Sequence, residues 1–183
     1  MNKYIKCNRC KGHYVVRESK YGLFAGCSEY PRCESTLKIY ELAHAYIMKY
    51  GLNLYGWKKV CQKCNKDTLV YSYFLYYEME EIGDVFRFFH RVGLGDIPCI
   101  DEIISRKYPN VAMRYSNTTK SIYMSNSCIH CNALQGRYYV VDDPHEIIND
   151  LWHEHTMGKY LIETIKTDDA RLMSQLKKCI NLS

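Results

Sequence analysis

Four cysteines near the start of the chain have the types and spacing of a metal site. Cys7 and Cys10 form a C-x2-C pair, sixteen residues follow, and Cys27 and Cys33 stand with five residues between them. Thiolates bind zinc tetrahedrally. A C-x2-C turn aims two sulfurs at one ion, and the chain between the pairs forms the arms that bring the other two opposite, which is the plan of a zinc ribbon. Gly12, Gly22 and Gly26 are expected where such a loop needs a positive φ or close backbone approach. The stretch HYVVRE between them reads as a strand.

A second set follows the same logic at longer range. Cys61-Gln62-Lys63-Cys64 and Cys128-Ile129-His130-Cys131 are both C-x2-C knuckles, each followed by an asparagine, Asn65 or Asn132, that tolerates the left-handed conformation such a turn requires. The gap of 63 residues is long for ribbon arms, which usually span fewer than about twenty. Two unrelated knuckles or a redox dithiol are therefore the alternatives to one joint four-cysteine site. A strand, knuckle and strand over Ser121 to Cys131 and Leu134 to Val141 favours the joint site. Eight of the ten cysteines then hold two zinc ions, and Cys99 and Cys179 are left as free thiols on helix faces.

Arg17, Ser19, Tyr21, Gly22, Phe24, Gly26, Cys27, Ser28, Tyr30, Pro31 and Cys33 spell R-x-S-x-Y-G-x-F-x-G-C-S-x-Y-P-x-C. Over residues 4–38 this pattern resembles the four-cysteine zinc ribbons at the C-terminal end of type IA DNA topoisomerases. The resemblance implies a small β-ribbon that binds single-stranded DNA through exposed aromatic and basic residues. Asn8 departs from it, standing where a proline usually follows the first cysteine. That bears on the rigidity of the first knuckle and leaves its ligands unaffected. The topoisomerase catalytic core has no counterpart in these 183 residues, so strand passage is not expected of them.

The residues themselves point the same way. Tyr14, Tyr21, Phe24 and Tyr30 lie among Arg17, Lys20 and Arg32 in a module too small to bury every ring. Aromatics interleaved with cations form the usual platform for single strands, each stacked base being worth ~1–3 kcal/mol. The competing placement packs Tyr14 and Phe24 over the zinc. Residues 1–43 hold eight Lys or Arg against four Glu, most of the chain's net charge of +5. A zinc bound by four thiolates is dianionic, so two such sites bring the total to about +1 and leave the basic excess on the ribbon.

A chain of 183 residues that is 47% hydrophobic makes one domain or two small ones. No apolar run approaches the ~20 residues of a membrane span. The first twenty residues are charged and lack the apolar core of a signal peptide, so the cytoplasm is the expected compartment, where cysteines are metal ligands sooner than disulfides.

The positioning elements read as an α+β fold with the ribbon at 1–38, a helical linker at 39–56 and a larger domain at 57–183 built around the second zinc site. Leu42, Tyr46, Ile47 and Tyr50 share one helix face that stops at Gly51, and NLYG at 53–56 reads as a turn. Leu69 to Tyr77 suits a central strand, Val85 to Phe89 another, and Val111 to Tyr115 a third. A helix opens at Asp96 with Ile100, Ile103, Ile104 and Tyr108 along one face. Asp143-Pro144-His145-Glu146 starts a further helix that buries Ile147, Ile148, Leu151 and Trp152. Residues 161–166 read as a strand. Thr167 then caps a last helix with Leu172, Met173, Leu176, Cys179 and Ile180 inward.

These features point to non-catalytic nucleic-acid binding, single-stranded DNA first, and no catalytic residue is assigned. The alternatives are a nuclease-like enzyme supplied with substrate by the ribbon, and a protein-interaction adaptor. His153, Glu154 and His155 lack the histidine-base order of an HNH nuclease around its knuckles and read as a solvated helix end. Glu78, Glu80, Glu81 and Asp84 read as a polar turn, with magnesium binding as the competing use.

Overall fold

The computed structural model describes residues 3–83, 92–140 and 156–181. Their strands form three three-stranded sheets, and with the helices they make the expected α+β fold. The chain divides into two compact units, one comprising 1–52, 74–92 and 166–183, the other 53–73 and 93–165.

In the first unit, β1 (Tyr14–Ser19), β2 (Gly22–Cys27) and β3 (Thr36–Leu37) pair in that order. Gly22 makes the β1–β2 turn at φ 107°, a conformation that favours glycine. The register sets Tyr14 opposite Cys27 and Arg17 opposite Phe24. Side chains alternate across a strand, so Val15, Arg17, Phe24 and Gly26 share one face, while Tyr14, Val16, Ala25 and Cys27 share the other. The second face is covered. Tyr14 and Ala25 are buried, and a Cβ added to Gly83 would lie 2.8 Å from Val16 Cβ, so the chain leaving the 3-10 turn Glu80–Ile82 sits directly on it. The first face is the outer one.

Helix α1 (Ile39–Tyr50) begins where Glu41 Oε2 accepts the Lys38 N–H at 2.7 Å, and it ends at Gly51, φ 80°. Leu42, Ala43, Tyr46 and Ile47 are fully buried, so α1 belongs to the core of its unit and is no mere spacer. A second helix, α2 (Leu75–Met79), and the C-terminal helix, Leu172–Asn181, belong to the same unit. The latter packs along α1 with Leu172, Leu176 and Ile180 inward, as its spacing predicts. Thr167 is not its cap. Its Oγ1 accepts the Asp169 N–H, and the Asp169 carboxylate, two residues nearer the helix, accepts the Arg171 N–H at 2.8 Å.

In the second unit, β4 (Leu52–Val60) lies between β5 (Asp67–Ser72) and a strand at Leu161–Ile165. The other sheet orders β6 (Val111–Ser116), β7 (Ser121–Ser127) and β8 (Leu134–Gln135). Asn126 ties β7 to β5. Its amide accepts the Tyr71 N–H at 2.8 Å and donates to the Tyr71 carbonyl at 2.9 Å, so a side chain does the work of a strand partner. A helix at Pro98–Lys107 buries Cys99, Ile100 and Ile104.

Three local expectations change. NLYG is part of β4, because Gly56 serves close approach and makes no turn: a Cβ there would meet Ile162 Cγ1 at 2.9 Å and Tyr71 at 3.0 Å. The run Leu69 to Tyr77 is strand only to Ser72, and its end becomes α2, which buries Leu75 and Met79 one turn apart. An apolar run cannot by itself tell a buried strand from a buried helix. The strand drawn from Leu134 stops at Gln135, after which Tyr139 and Val140 return their N–H groups to the Gly136 carbonyl as a short helical turn. The strand expected at 85–89, the helix opened at 143 and the His153–His155 cluster lie outside the described residues.

Candidate functional site

Three knuckles and one loop cysteine pair are built the same way, with the chain turning so that backbone N–H groups face the sulfurs. The Cys7 N–H reaches the Gly12 carbonyl at 2.8 Å, Cys61 reaches Lys66 at 2.9 Å and Cys128 reaches Ala133 at 2.8 Å. Asn65 and Asn132 take φ values of 55° and 58°, the left-handed geometry their sequence position predicts. Amides in the first knuckle, the loop pair and the third knuckle point at ligand sulfurs: Arg9 at Cys7, Gly12 at Cys10, Glu29 at Cys27 and His130 at Cys128, all at 3.3–3.4 Å.

The sulfurs converge into two tetrads. Cys7, Cys10, Cys27 and Cys33 form one and Cys61, Cys64, Cys128 and Cys131 the other, with the four sulfurs of each within 4.8 Å of one another. Zinc–sulfur bonds of ~2.3 Å in a tetrahedron put sulfurs about 3.8 Å apart. Cys7 and Cys33 are separated by 3.8 Å, Cys10 and Cys27 by 3.3 Å, Cys61 and Cys131 by 3.7 Å, and Cys64 and Cys128 by 3.6 Å. The 63-residue gap is closed by bonds between the knuckles themselves. Thr68 Oγ1 accepts the Ile129 N–H at 3.1 Å, His130 Nε2 donates to the Asp67 carbonyl at 2.9 Å, and Gln135 Nε2 donates to Cys61 Sγ at 3.4 Å. The chain thus carries two four-cysteine zinc sites, the second a joint site.

The thiols are prepared for a cation. Burial opposes ionisation of Cys7, but the amides of Arg9 and Cys10 outweigh it and bring the thiol from 9.0 down to about 6. At Cys128 the amides of Cys131 and His130 overcome burial in the same way, to about 6. At Cys10 and Cys64 the amides of Gly12 and Lys66 favour the thiolate, yet burial and neighbouring sulfurs prevail and push both up to about 12. Four thiolates at this spacing need a divalent ion, and its binding expels the protons that remain.

The residues expected to meet nucleic acid separate by face. Tyr14 is corrected: only 2% of it is exposed, on the covered face, and its hydroxyl donates to Asn8 Oδ1 at 2.8 Å. Ser35 Oγ donates to the same Asn8 oxygen at 2.9 Å. Asn8 therefore ties the first knuckle to the sheet in place of a proline's rigidity, and Tyr14 is structural. On the outer face the Arg17 side chain crosses Gly26, where a Cβ would lie 2.9 Å from its Cδ and 3.3 Å from Phe24. Arg17 Nη2 donates to the Cys27 carbonyl at 3.2 Å, and its guanidinium lies 5.7 Å from the centre of the Tyr30 ring. Tyr30 is 62% exposed and Tyr21, on the hairpin turn, 87% exposed, with Lys20 Nζ 4.9 Å from its centre. Phe24 is half-buried, and Lys20 and Arg32 are exposed. The same face continues past the knuckle with Tyr4, Lys6 and His13, whose strand pairing, Lys6 opposite His13, is a single bridge.

Residues 4–41 match the family described as topoisomerase DNA binding C4 zinc finger. Within those limits this chain carries a topoisomerase-type four-cysteine zinc ribbon. A stretch of 43 residues is 37% identical to the uncharacterized protein YrdD of Escherichia coli strain K12, covering 24% of this chain and 24% of YrdD's own length. No solved structure matches. Among the described residues no helix is long and apolar enough to cross a membrane.

Proposed function

We propose that this chain is a zinc-dependent nucleic-acid-binding protein that takes single-stranded DNA on the outer face of its first ribbon and acts there without catalysis. The observation that carries this is the arrangement of Tyr30, Arg17 and Phe24 side by side on the outer face of the β1–β2 hairpin, with Tyr21 exposed on its turn. A flat cation against the Tyr30 ring, with Phe24 nearby on the same face, offers a phosphate partner and stacking surfaces together, and stacking accepts any base. The likeness of residues 4–41 to a DNA-binding finger family supports the same ligand. The chain then works in the cytoplasm as an accessory factor, with no membrane partner and with protein partners as a further possibility.

The test is a titration of the zinc-loaded protein with single-stranded and duplex oligonucleotides of one sequence, by fluorescence anisotropy at stepped salt, with the strands recovered and sized after incubation with magnesium. Tighter binding of the single strand, a negative salt slope and intact strands support the proposal. Cleavage of the strand makes it an enzyme that uses the ribbon for delivery. Absence of binding in either form leaves the protein-adaptor role.

A further inference from the structure

We propose that the single-strand track extends beyond the β1–β2 hairpin onto a second stacking station made by Tyr4 and His13, with Lys49 of α1 as its phosphate partner. This deepens the function proposed above and rests on it. Lys6 pairs antiparallel with His13, and the Tyr14 N–H donates to the Ile5 carbonyl at 2.8 Å, so residues 4–6 run beside the start of β1. Alternation then places Tyr4, Lys6, His13, Val15 and Arg17 on one face, the outer one. The Tyr4 and His13 rings meet edge to face with centres 6.0 Å apart.

Tyr4 is 43% exposed, yet its backbone is clamped. Tyr50 Oη accepts the Tyr4 N–H at 3.0 Å and donates to the Tyr4 carbonyl at 2.8 Å, while Lys49 Nζ donates to that carbonyl at 2.8 Å. The same ammonium lies 4.6 Å from the centre of the Tyr4 ring and 4.7 Å from that of Tyr50. An exposed aromatic chain segment that is held by three hydrogen bonds has lost its freedom before any ligand arrives, and this raises what a stacked base gains there. A cation at the ring repeats the pairing of Arg17 with Tyr30 at the other end of the face. From His13 to Ser19 the strand covers about 20 Å at ~3.3 Å per residue, and Tyr21 stands on the turn beyond it, so one strand of nucleic acid meets Tyr21, the Arg17 group and the Tyr4 group in succession. The Tyr4 ring meets His13 and Lys49, and Lys49 meets Tyr4 and Tyr50, so the station is built from residues other than the zinc ligands.

The experiment measures affinity for oligothymidines of about 4 to about 12 nucleotides, lengths within the ~4–16 of single-strand site sizes, with zinc-loaded wild type, Tyr4→Ala, Tyr4→Phe and Tyr21→Ala. Wild type should gain affinity with length. Tyr4→Ala should lose about 5- to 150-fold on the longest strand, the equivalent of ~1–3 kcal/mol per stacked base, and Tyr4→Phe should recover it. Wild-type affinity of a folded Tyr4→Ala protein at every length, beside a weakened Tyr21→Ala, overturns the extension and leaves the ribbon site standing. Failure of wild type to bind at all overturns both. Should Tyr4→Ala not fold, photo-crosslinking of wild type to a bromodeoxyuridine strand decides the matter: peptides containing Tyr4 or His13 support the station, and crosslinks confined to residues 17–32 overturn it.

Discussion

Tyr21→Ala isolates binding from folding more cleanly than any other change on the ribbon. Tyr21 is 87% exposed, and Lys20 Nζ lies 4.9 Å from the centre of its ring. An exposed cation–π contact is worth ~0.5–1 kcal/mol, and surface changes away from special features stay within about 0.5 kcal/mol. The zinc tetrad, Gly22 and the strand register do not involve the ring, so fold and metal content should be unchanged. If a base stacks on it, removal should weaken single-strand binding by ~1–3 kcal/mol, or about 5- to 150-fold. The slope of log affinity against log salt should stay constant, since no phosphate contact is lost. Arg17→Gln makes the contrast. It removes one cation and should flatten the slope by about 0.7, with some loss of affinity as its bond to the Cys27 carbonyl goes. Anisotropy titrations at several salt concentrations, preceded by circular dichroism and zinc analysis, check both. A folded, zinc-loaded Tyr21→Ala protein with wild-type affinity refutes the stacking argument.

Elemental analysis should return two zinc ions per chain and one for Cys128→Ser, because each tetrad needs all four sulfurs; one zinc in wild type contradicts the joint second site. Since structural zinc supplies ~10–16 kcal/mol of apparent folding energy to small domains, Cys7→Ser should collapse the dispersion of the ribbon's amide signals in an NMR spectrum while those of β6 and β7 persist. Stability should also respond to Asp101, a buried acid whose Oδ1 accepts bonds from Tyr73 Oη at 3.1 Å and the Gly95 N–H at 3.2 Å. Burial raises it from 3.8 to about 7 despite those bonds. A raised folded-state value means that its contribution is fully present below about pH 4 and is lost as pH rises through about 7. The loss amounts to up to about 4 kcal/mol at 1.36 kcal/mol per unit. Denaturant titrations of wild type and Asp101→Asn should therefore diverge in slope between pH 4 and 7, and parallel pH profiles contradict this.

The first tetrad, the knuckles and the positive φ of Asn65 and Asn132 were legible in the sequence because their spacing is local, whereas the pairing of Cys61 and Cys64 with Cys128 and Cys131 across 63 residues rests on tertiary bonds between the knuckles. The face of the ribbon was only half legible. Tyr14 and Phe24 look alike as aromatics among cations, and what separates them is alternation against a covering segment, residues 80–83, that the order of the chain does not reveal. Asn8 shows the same limit, since its value comes from Tyr14 and Ser35, six and 27 residues away. Gly56 reads as punctuation until Ile162 is seen against it. Thr167 and Asp169 both suit a cap, and the geometry of the turn chooses the second. In each case the deciding contact is tertiary.

The central claim, that single-stranded nucleic acid lies on the outer face of the first ribbon, is tested most directly by titrating isotope-labelled, zinc-loaded protein with a short oligothymidine at low salt and following its amide signals. Shifts concentrated at Arg17, Tyr21, Phe24, Gly26 and Tyr30, with Val16, Ala25 and Leu42 unmoved, are what the arrangement predicts. Shifts confined to the covered face or to residues 53–73 and 93–165, or no shifts at saturating strand, would contradict it.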